Sequence, residues 1–203
     1  MSYLAALRAT IHQDRRRIFW MGVLGAVVTC AIVLFLPLRY RATMRVLIIQ
    51  STSPTLDAFT AVKSAEKIGK NFSQIIASSS FLDRVLQANS KIQASYFPAV
   101  ERKRRRAWEE MVTASVAPET SVMAIAVYHP APTQAAAIAG SVGAILARDA
   151  REYTGSPDIA VKVIDSPILS RFPVRPNVPL QVLLGALLAA ALSTVTLAAR
   201  RRS

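Results

Sequence analysis

Residues 18–38 read IFWMGVLGAVVTCAIVLFLPL, a stretch of 21 residues without a charged side chain. As an α-helix this stretch would be roughly 32 Å long, which matches a membrane hydrocarbon core of about 30 Å. Residues 178–199 read VPLQVLLGALLAAALSTVTLAA and form a second uncharged stretch of similar length. A core helix of a soluble protein rarely stays uncharged on every face over this distance. The sequence therefore predicts two transmembrane helices, one near each end of the chain.

The first apolar stretch also follows three arginines, at positions 15–17, as the apolar region of a signal peptide would. It is longer than such a region, which usually has about 7–15 residues. Arg39-Tyr40-Arg41 comes after it, where a signal peptide would have the small residues of a cleavage site. We therefore expect an uncleaved membrane anchor.

Arginines flank both stretches and indicate an orientation. Two spans place both chain ends on one side of the membrane, and the outer flanks hold seven arginines against five on the inner flanks. Because cytoplasmic flanks carry the excess of Lys and Arg, this favours cytoplasmic tails at 1–17 and 200–203 and export of the segment 39–177. The outer-flank arginines are Arg8, Arg15, Arg16, Arg17, Arg200, Arg201 and Arg202; the inner ones are Arg39, Arg41, Arg45, Arg171 and Arg175.

The chain of 203 residues carries a formal net charge of +13, yet 52% of its residues are hydrophobic and its mean hydropathy is +0.33. This combination excludes a disordered basic tail, which would be poor in apolar side chains. The two tails hold seven cations and one anion, and the rest of the chain holds 18 cations and 11 anions. Nearly half of the excess is therefore an orientation signal, and we expect no nucleic-acid partner. The single Cys30 has no second cysteine for an intrachain disulfide.

The segment between the spans mixes strand and helix signals, which predicts an α+β domain. Its first strand places apolar residues at every second position from Tyr40 to Ile48, and its pairing with the last strand would seat the domain on both spans. The other predicted elements are helix 56–70, a short helix 81–88 with Ser80 and Asp83 as capping box, helix 98–110, strands 112–117 and 122–128, an Ala-rich helix 132–153 and a last strand 159–165, with turns at 51–55, 118–121 and 154–158.

Four prolines lie between the last strand and the second span: Pro167, Pro173, Pro176 and Pro179. Their spacing is in phase with a period of three, the number of residues per turn of polyproline II, so their rings would line one face of a stiff strut. The alternative is that prolines are common near helix ends and that Pro179 begins the second span.

The sequence PVRPNVPL at positions 173–180, which includes Asn177, resembles the proline-rich signature of bacterial polysaccharide co-polymerases, the Wzz or chain-length-determinant family. Shorter matches fall in the family's order along the chain. The resemblance extends over residues 15–200. The shorter matches are Tyr40-Arg41-Ala42 after the first span, SSSFLDRV at 78–85, TSVMAIAV at 120–127, PTQAA at 132–136 and VKVID at 161–165.

This resemblance implies a multi-pass protein of the bacterial inner membrane with a periplasmic α+β domain and a homo-oligomeric ring. Such proteins act with a polymerase or export machinery and set the chain length of a surface polysaccharide, such as an exopolysaccharide or a lipopolysaccharide. They are not enzymes unless fused to a tyrosine kinase, which we do not expect after the second span. The family's tall helical arm should be absent or very short, because about five residues separate Tyr153 from Ile159.

Two other functions stay open from the sequence. Short two-span members of the family often serve as adaptors for a separate cytoplasmic tyrosine kinase, although the short tails offer little surface for this. A structural accessory subunit of a glycan synthase or export complex, without effect on chain length, would carry the same spans and domain.

Residues typical of catalysis or metal binding are sparse. His12 and His129 are the only histidines, and they lie on opposite sides of the first span in the sequence. No Cys or His cluster has metal-ligand spacing, and the stretch 68–71 lacks the glycines of a phosphate-binding loop. Glu109 and Glu110 are adjacent and would diverge around a helix. We expect no enzyme activity, no cofactor and no metal.

The densest run of charge occupies residues 102–106 in the predicted helix 98–110. Five adjacent residues surround a helix, so they cannot all face one ligand. The run has three interpretations: a solvated face supported by Arg105–Glu109 and Arg106–Glu110 pairs, a contact between subunits, or a site for a glycan or lipid-linked glycan. Its members are Arg102, Lys103, Arg104, Arg105 and Arg106.

Small residues in the spans predict close helix packing. Gly185 and Ala189 are four residues apart in the second span, and Gly22 and Gly25 form a looser pair in the first. Gln181, near the start of the second span, could hydrogen-bond across such an interface. The sequence leaves open whether the partner helix is the first span, a second copy or a polymerase.

Overall fold

The segment between the two apolar helices forms one antiparallel sheet with helices, which makes the fold mixed α+β. The computed structural model describes residues 14–50 and 58–200. The described elements are α1 (Arg15–Leu34), β1 (Tyr40–Gln50), α2 (Ala58–Ile76), α3 (Ser79–Ala88), a 3₁₀ turn (Ala94–Tyr96), α4 (Glu101–Met111), β2 (Val112–Val116), β3 (Val122–His129), α5 (Pro132–Thr154), β4 (Ile159–Leu169) and α6 (Val178–Arg200).

The chain divides into two units. One unit contains α1 and α6, with the chain up to Leu38 and from Val174 onward. The other unit is Arg39–Pro173 and contains the sheet and the remaining helices. We call them the helix-pair unit and the α+β unit.

The predicted first span, 18–38, is wrong at its carboxyl end, because α1 ends at Leu34. Pro37 explains this end, since proline lacks an N–H group and disfavours helical backbone in the residue before it. The Phe35 N–H donates to the Ile32 carbonyl at 3.2 Å, and the Leu36 N–H donates to the Val33 carbonyl at 3.1 Å, which closes the helix. At its amino end the helix begins at Arg15, three residues earlier than the apolar stretch.

The sheet has the strand order β2-β3-β1-β4, and all three pairings are antiparallel. The predicted hairpin of β2 and β3 is confirmed, with Val112 opposite Val127. The first and last strands of the unit are neighbours, with Gln50 opposite Ile159 and Ala42 opposite Leu169. Their register shifts on either side of Arg45, which marks a bulge. The two ends of the α+β unit are therefore held in one strand pair.

The predicted inward face of β1 is confirmed, because Ala42, Met44, Val46 and Ile48 are all buried. Helix α5 packs on this side of the sheet. A Cβ at Gly143 would contact the Met44 methyl group and lie 2.7 Å from its Sδ. Glycine at 143 thus lets α5 approach the strand.

Helices α2 and α4 differ from their predicted bounds. Helix α2 continues past Lys70 to Ile76, because Phe72 and Ile76 extend its buried face by one more turn. Helix α4 begins at Glu101 rather than Pro98, with an acidic residue in its first turn, where the helix dipole favours negative charge. The predicted turn at 51–55 lies outside the described residues.

The predicted capping box at Ser80 and Asp83 is wrong. Ser78 is the N-cap of α3, and its Oγ accepts a hydrogen bond from the Phe81 N–H at 3.2 Å. The same Oγ donates to the Ile75 carbonyl at 2.7 Å. Asp83 instead pairs with Arg104 of α4, at 3.3 Å. Three consecutive serines offer the same local signal, and the packing of α2 before α3 selects the first of them.

The loop between α5 and β4 is short, as the sequence predicts. Gly155 ends α5 in the left-handed region, with φ of 65°, which glycine adopts without steric cost. Residues 155–158 are the whole connection. No tall helical arm follows α5.

Candidate functional site

The two helices of the helix-pair unit pack through the small residues that the sequence singles out. A Cβ at Gly25 would contact the Ala189 Cβ and lie 2.8 Å from the Gly185 carbonyl oxygen. A Cβ at Gly185 would contact Thr29 Oγ1 and lie 2.7 Å from the Thr29 Cβ. Both glycines therefore set the distance between the helices, and the partner of α6 within this chain is α1.

The second glycine of α1 makes a looser contact. A Cβ at Gly22 would lie 3.5 Å from the Ala186 carbonyl oxygen and 3.6 Å from the Ala190 Cβ, which is ordinary van der Waals distance. Gln181 lies in the first turn of α6, where its N–H donates to the Asn177 carbonyl at 3.0 Å.

The outer faces of both helices are apolar and exposed. Phe19 is 66% exposed, Leu188 64% and Leu192 66%. Both helices are long and apolar enough to cross a membrane. Monomeric soluble proteins rarely expose apolar surface of this extent.

The four prolines do not form one continuous strut. Pro167 lies inside β4, which runs four residues beyond its predicted end, and a Cβ at Gly140 of α5 would lie 3.7 Å from its Cγ. Pro179 lies in the first turn of α6. Only Pro173 and Pro176 remain in irregular backbone. An edge strand tolerates proline because one side of it has no ladder hydrogen bonds to make.

Asn177 of the proline motif caps α6. Its Oδ1 accepts a hydrogen bond from the Leu180 N–H at 3.4 Å. Asparagine is among the preferred N-cap residues, since its side chain satisfies an N–H that has no partner within the helix.

The basic run of α4 is largely paired. Arg105 lies 2.8 Å from Glu109, Arg106 lies 3.1 Å from Glu110, and Arg104 pairs with Asp83 of α3. Arg102 and Lys103 are exposed at the start of the helix. The run is thus divided between pairs within α4, a link to α3, and two outward cations.

An ion cluster between α3 and α5 is absent from the sequence predictions. Arg84 contacts Glu152 at 2.7 Å and Asp149 at 3.4 Å, and Arg148 contacts Asp149 at 2.6 Å. Arg84 also lies over the Tyr153 ring, 5.1 Å from its centroid. The hydrogen bond from Arg148 lowers the pKa of Asp149, and that from Arg84 lowers the pKa of Glu152. No local pattern signals this cluster, because 65 residues separate Arg84 from Asp149.

His129 ends β3 and is 4% exposed. Its Nδ1 accepts a hydrogen bond from the Ala131 N–H at 3.0 Å, and its ring packs against Tyr96 at a tilt of 54°, with 4.4 Å between centroids. Burial lowers its pKa, and the charge of Arg39 acts in the same direction. The side chain is held as a neutral structural group of the α+β unit.

No family model matches the chain, and no curated protein matches it. Among residues 14–50 and 58–200, no three His, Cys, Asp or Glu side chains lie together as metal ligands would.

Proposed function

We propose that this chain is a non-enzymatic polysaccharide co-polymerase of the bacterial inner membrane. It would regulate the polymerisation, chain length and export of a surface polysaccharide as a scaffold. One observation carries the proposal: the strand after the first apolar helix pairs with the strand before the second, and the PVRPNVPL segment follows that last strand. This order is the one that the resemblance to the chain-length-determinant family implies.

In this proposal α1 and α6 anchor the chain in the membrane, with both termini in the cytoplasm and the α+β unit in the periplasm. The exposed apolar side chains of both helices support the anchoring, because lipid is the solvent that suits them. The larger number of arginines on the outer flanks supports the orientation.

The proposed scaffold is a homo-oligomer that acts with a polymerase or an export complex. The edge strand β4 supports subunit contact, because within residues 14–50 and 58–200 it pairs only with β1, and it exposes Ile164 and Ile168. The exposed Arg102 and Lys103 of α4 are available for a second subunit or for an acidic glycan.

The proline motif provides the test. Replacing Pro173, Pro176 and Pro179 together with alanine should shift the length distribution of the surface glycan, because Pro173 and Pro176 restrict the backbone between β4 and α6 and Pro179 restricts the first turn of α6. Glycan gels give the readout, and membrane fractionation checks that insertion is unchanged. Pro157→Ala, in the exposed α5–β4 loop, is the matched control. Wild-type glycan lengths in the triple variant would contradict the proposal.

Deletion of the gene separates this function from the alternatives. A shifted chain length supports regulation, whereas complete loss of polymer supports an accessory subunit needed for assembly. Copurification with a tyrosine kinase would support the adaptor role instead.

A further inference from the structure

The two helices of the helix-pair unit line an open cavity at the end where α1 begins. Its volume is about 1130 Å³. Asp14 and four residues of α1 line one side, and three residues of α6 line the other. The residues of α1 are Arg16, Arg17, Trp20 and Met21, and those of α6 are Ser193, Thr196 and Leu197. The close packing at Gly25 and Gly185 lies further along the helices, so the cavity lies beyond that contact.

The cavity lies in a local excess of positive charge. Arg15, Arg16 and Arg17 are consecutive and exposed, and Asp14 is the acidic residue beside them, 3.5 Å from Arg17. One carboxylate cannot neutralise this cluster, so the mouth of the cavity favours an anion.

The lining changes from charged to apolar along the helices. The two guanidinium groups belong to the first turn of α1, and Trp20 and Met21 follow one turn deeper. The hydroxyl residues Ser193 and Thr196 face them from α6, and Thr196 Oγ1 donates to the Ser193 carbonyl at 3.0 Å. Tryptophan at the end of an apolar helix is typical of the membrane–water interface. A ligand that fits this lining has an anionic head and an apolar tail.

We propose that this cavity binds the headgroup of an anionic phospholipid. Arg16 and Arg17 contact the phosphate, while the start of an acyl chain lies against Trp20 and Met21. Arginine suits this role because its planar guanidinium binds phosphate oxygens in pairs. The inference rests on the membrane anchoring in the proposed function, and it is independent of any role in glycan length.

The test uses the full chain, purified in a neutral detergent and delipidated, with native mass spectrometry to count bound lipids. Phosphatidylglycerol should be retained about 30-fold more than phosphatidylcholine, the factor expected for two arginines near a membrane surface. Soluble glycerol phosphate, offered in excess, should not displace the lipid. Displacement would show a site for free phosphate and would overturn the lipid assignment.

Two variants separate the cavity from general surface charge. R16Q/R17Q should lose the preference for phosphatidylglycerol, whereas R102Q/K103Q, which removes two exposed cations from α4, should keep it. Thr196→Phe places a bulky ring in the cavity lining without changing charge and should lower retention as well. Wild-type retention in R16Q/R17Q or in Thr196→Phe would overturn the proposal.

Membrane fractionation with alkaline carbonate distinguishes a failure of the lipid-site proposal from a failure of the proposed function. If the chain is extracted as a soluble protein, the anchoring itself is wrong and the lipid site falls with it. If the chain stays in the membrane but shows no lipid preference, only the inference about the cavity is overturned.

Discussion

The helix-pair unit exposes its large apolar side chains, whereas the α+β unit buries them. In the helix pair Leu188 is 64% exposed, while in the α+β unit Trp108 is fully buried. The polar groups of the second unit follow the same logic, because the Trp108 indole N–H donates to the Ile76 carbonyl at 2.6 Å. This difference agrees with the proposed anchoring, in which lipid surrounds the first unit and water surrounds the second.

Glycine also serves the two units differently. In the helix pair, Gly25 and Gly185 allow contact with backbone atoms and short side chains of the other helix. In the α+β unit, Gly143 makes room for the long Met44 side chain. Helices in lipid gain from close backbone approach, whereas a core in water gains from burying large side chains.

The largest expected effect is in the core of the α+β unit. Trp108→Ala should lower the free energy of unfolding by about 3–5 kcal/mol, because it opens a cavity and leaves the Ile76 carbonyl without its donor. Pulse proteolysis of the full chain in detergent across a denaturant series measures this change. Leu188→Ala removes an equally apolar but exposed side chain and should leave this unit unaffected. Equal losses in both variants would show that the contrast in burial is wrong.

The next effect is in the helix pair. Gly185→Leu should destabilise the packing of α1 and α6 by about 1–3 kcal/mol, because the new side chain would overlap Thr29. Thermal unfolding in detergent, followed by far-UV circular dichroism, gives the measurement. Ala191→Leu adds the same bulk on the exposed side of α6 and should have little effect. A Gly185→Leu variant as stable as wild type would mean that α6 does not pack on α1 through this residue.

A pH effect on stability should arise in the α+β unit from His129, whereas α1 and α6 contain no histidine. Burial lowers the pKa of His129 from its ordinary 6.5. Below pH 6.5 this side chain is therefore protonated to a greater extent in the unfolded chain than in the folded unit. Stability is therefore fully present above pH 6.5 and decreases as the pH falls below it.

The same proteolysis assay at pH 7 and pH 5 measures this change. His129→Gln should flatten the dependence in that range. Asp149 and Glu152 have lowered pKa values and lose their stabilising charges only in more acidic solution. An unchanged pH slope in His129→Gln would assign the dependence to another group.

The smallest expected effect comes from comparing Ser78 with Ser80, two serines at the start of α3. Ser78→Ala should cost about 1 kcal/mol, because it removes the acceptor for the Phe81 N–H at the start of α3. Ser80→Ala, in the first turn of the helix, should cost close to nothing. Denaturant midpoints of the two variants test this directly. A larger loss in Ser80→Ala would restore the capping box that the sequence alone suggests.

Much of the fold could be predicted because its elements depend on local pattern. The alternation of β1, the hairpin of β2 and β3, and the helix from Pro132 are all confirmed. The errors occur where a local signal is degenerate or is extended by packing. Three serines could each cap α3, and β4 continues through Pro167 because pairing with β1 extends to Leu169.

The candidate sites divide in the same way. The small residues of the spans and the pairs of Arg105 and Arg106 follow from spacings of three or four residues. The Arg84 cluster and the cavity at Arg16 and Arg17 join residues far apart in the chain. Neither site can be recognised from a short segment of the sequence.

The sequence by itself determined the two apolar helices, the α+β class and the order of most elements, because hydrophobic periodicity, proline and glycine act over a few residues. The tertiary structure decided the strand order β2-β3-β1-β4 and the choice of α1 as the partner of α6. It also divided the predicted proline strut, because Pro167 belongs to β4. These features depend on surfaces that meet only after folding, and the β1–β4 and α1–α6 contacts join segments more than 100 residues apart. Packing and strand pairing select among structures that local sequence signals do not distinguish.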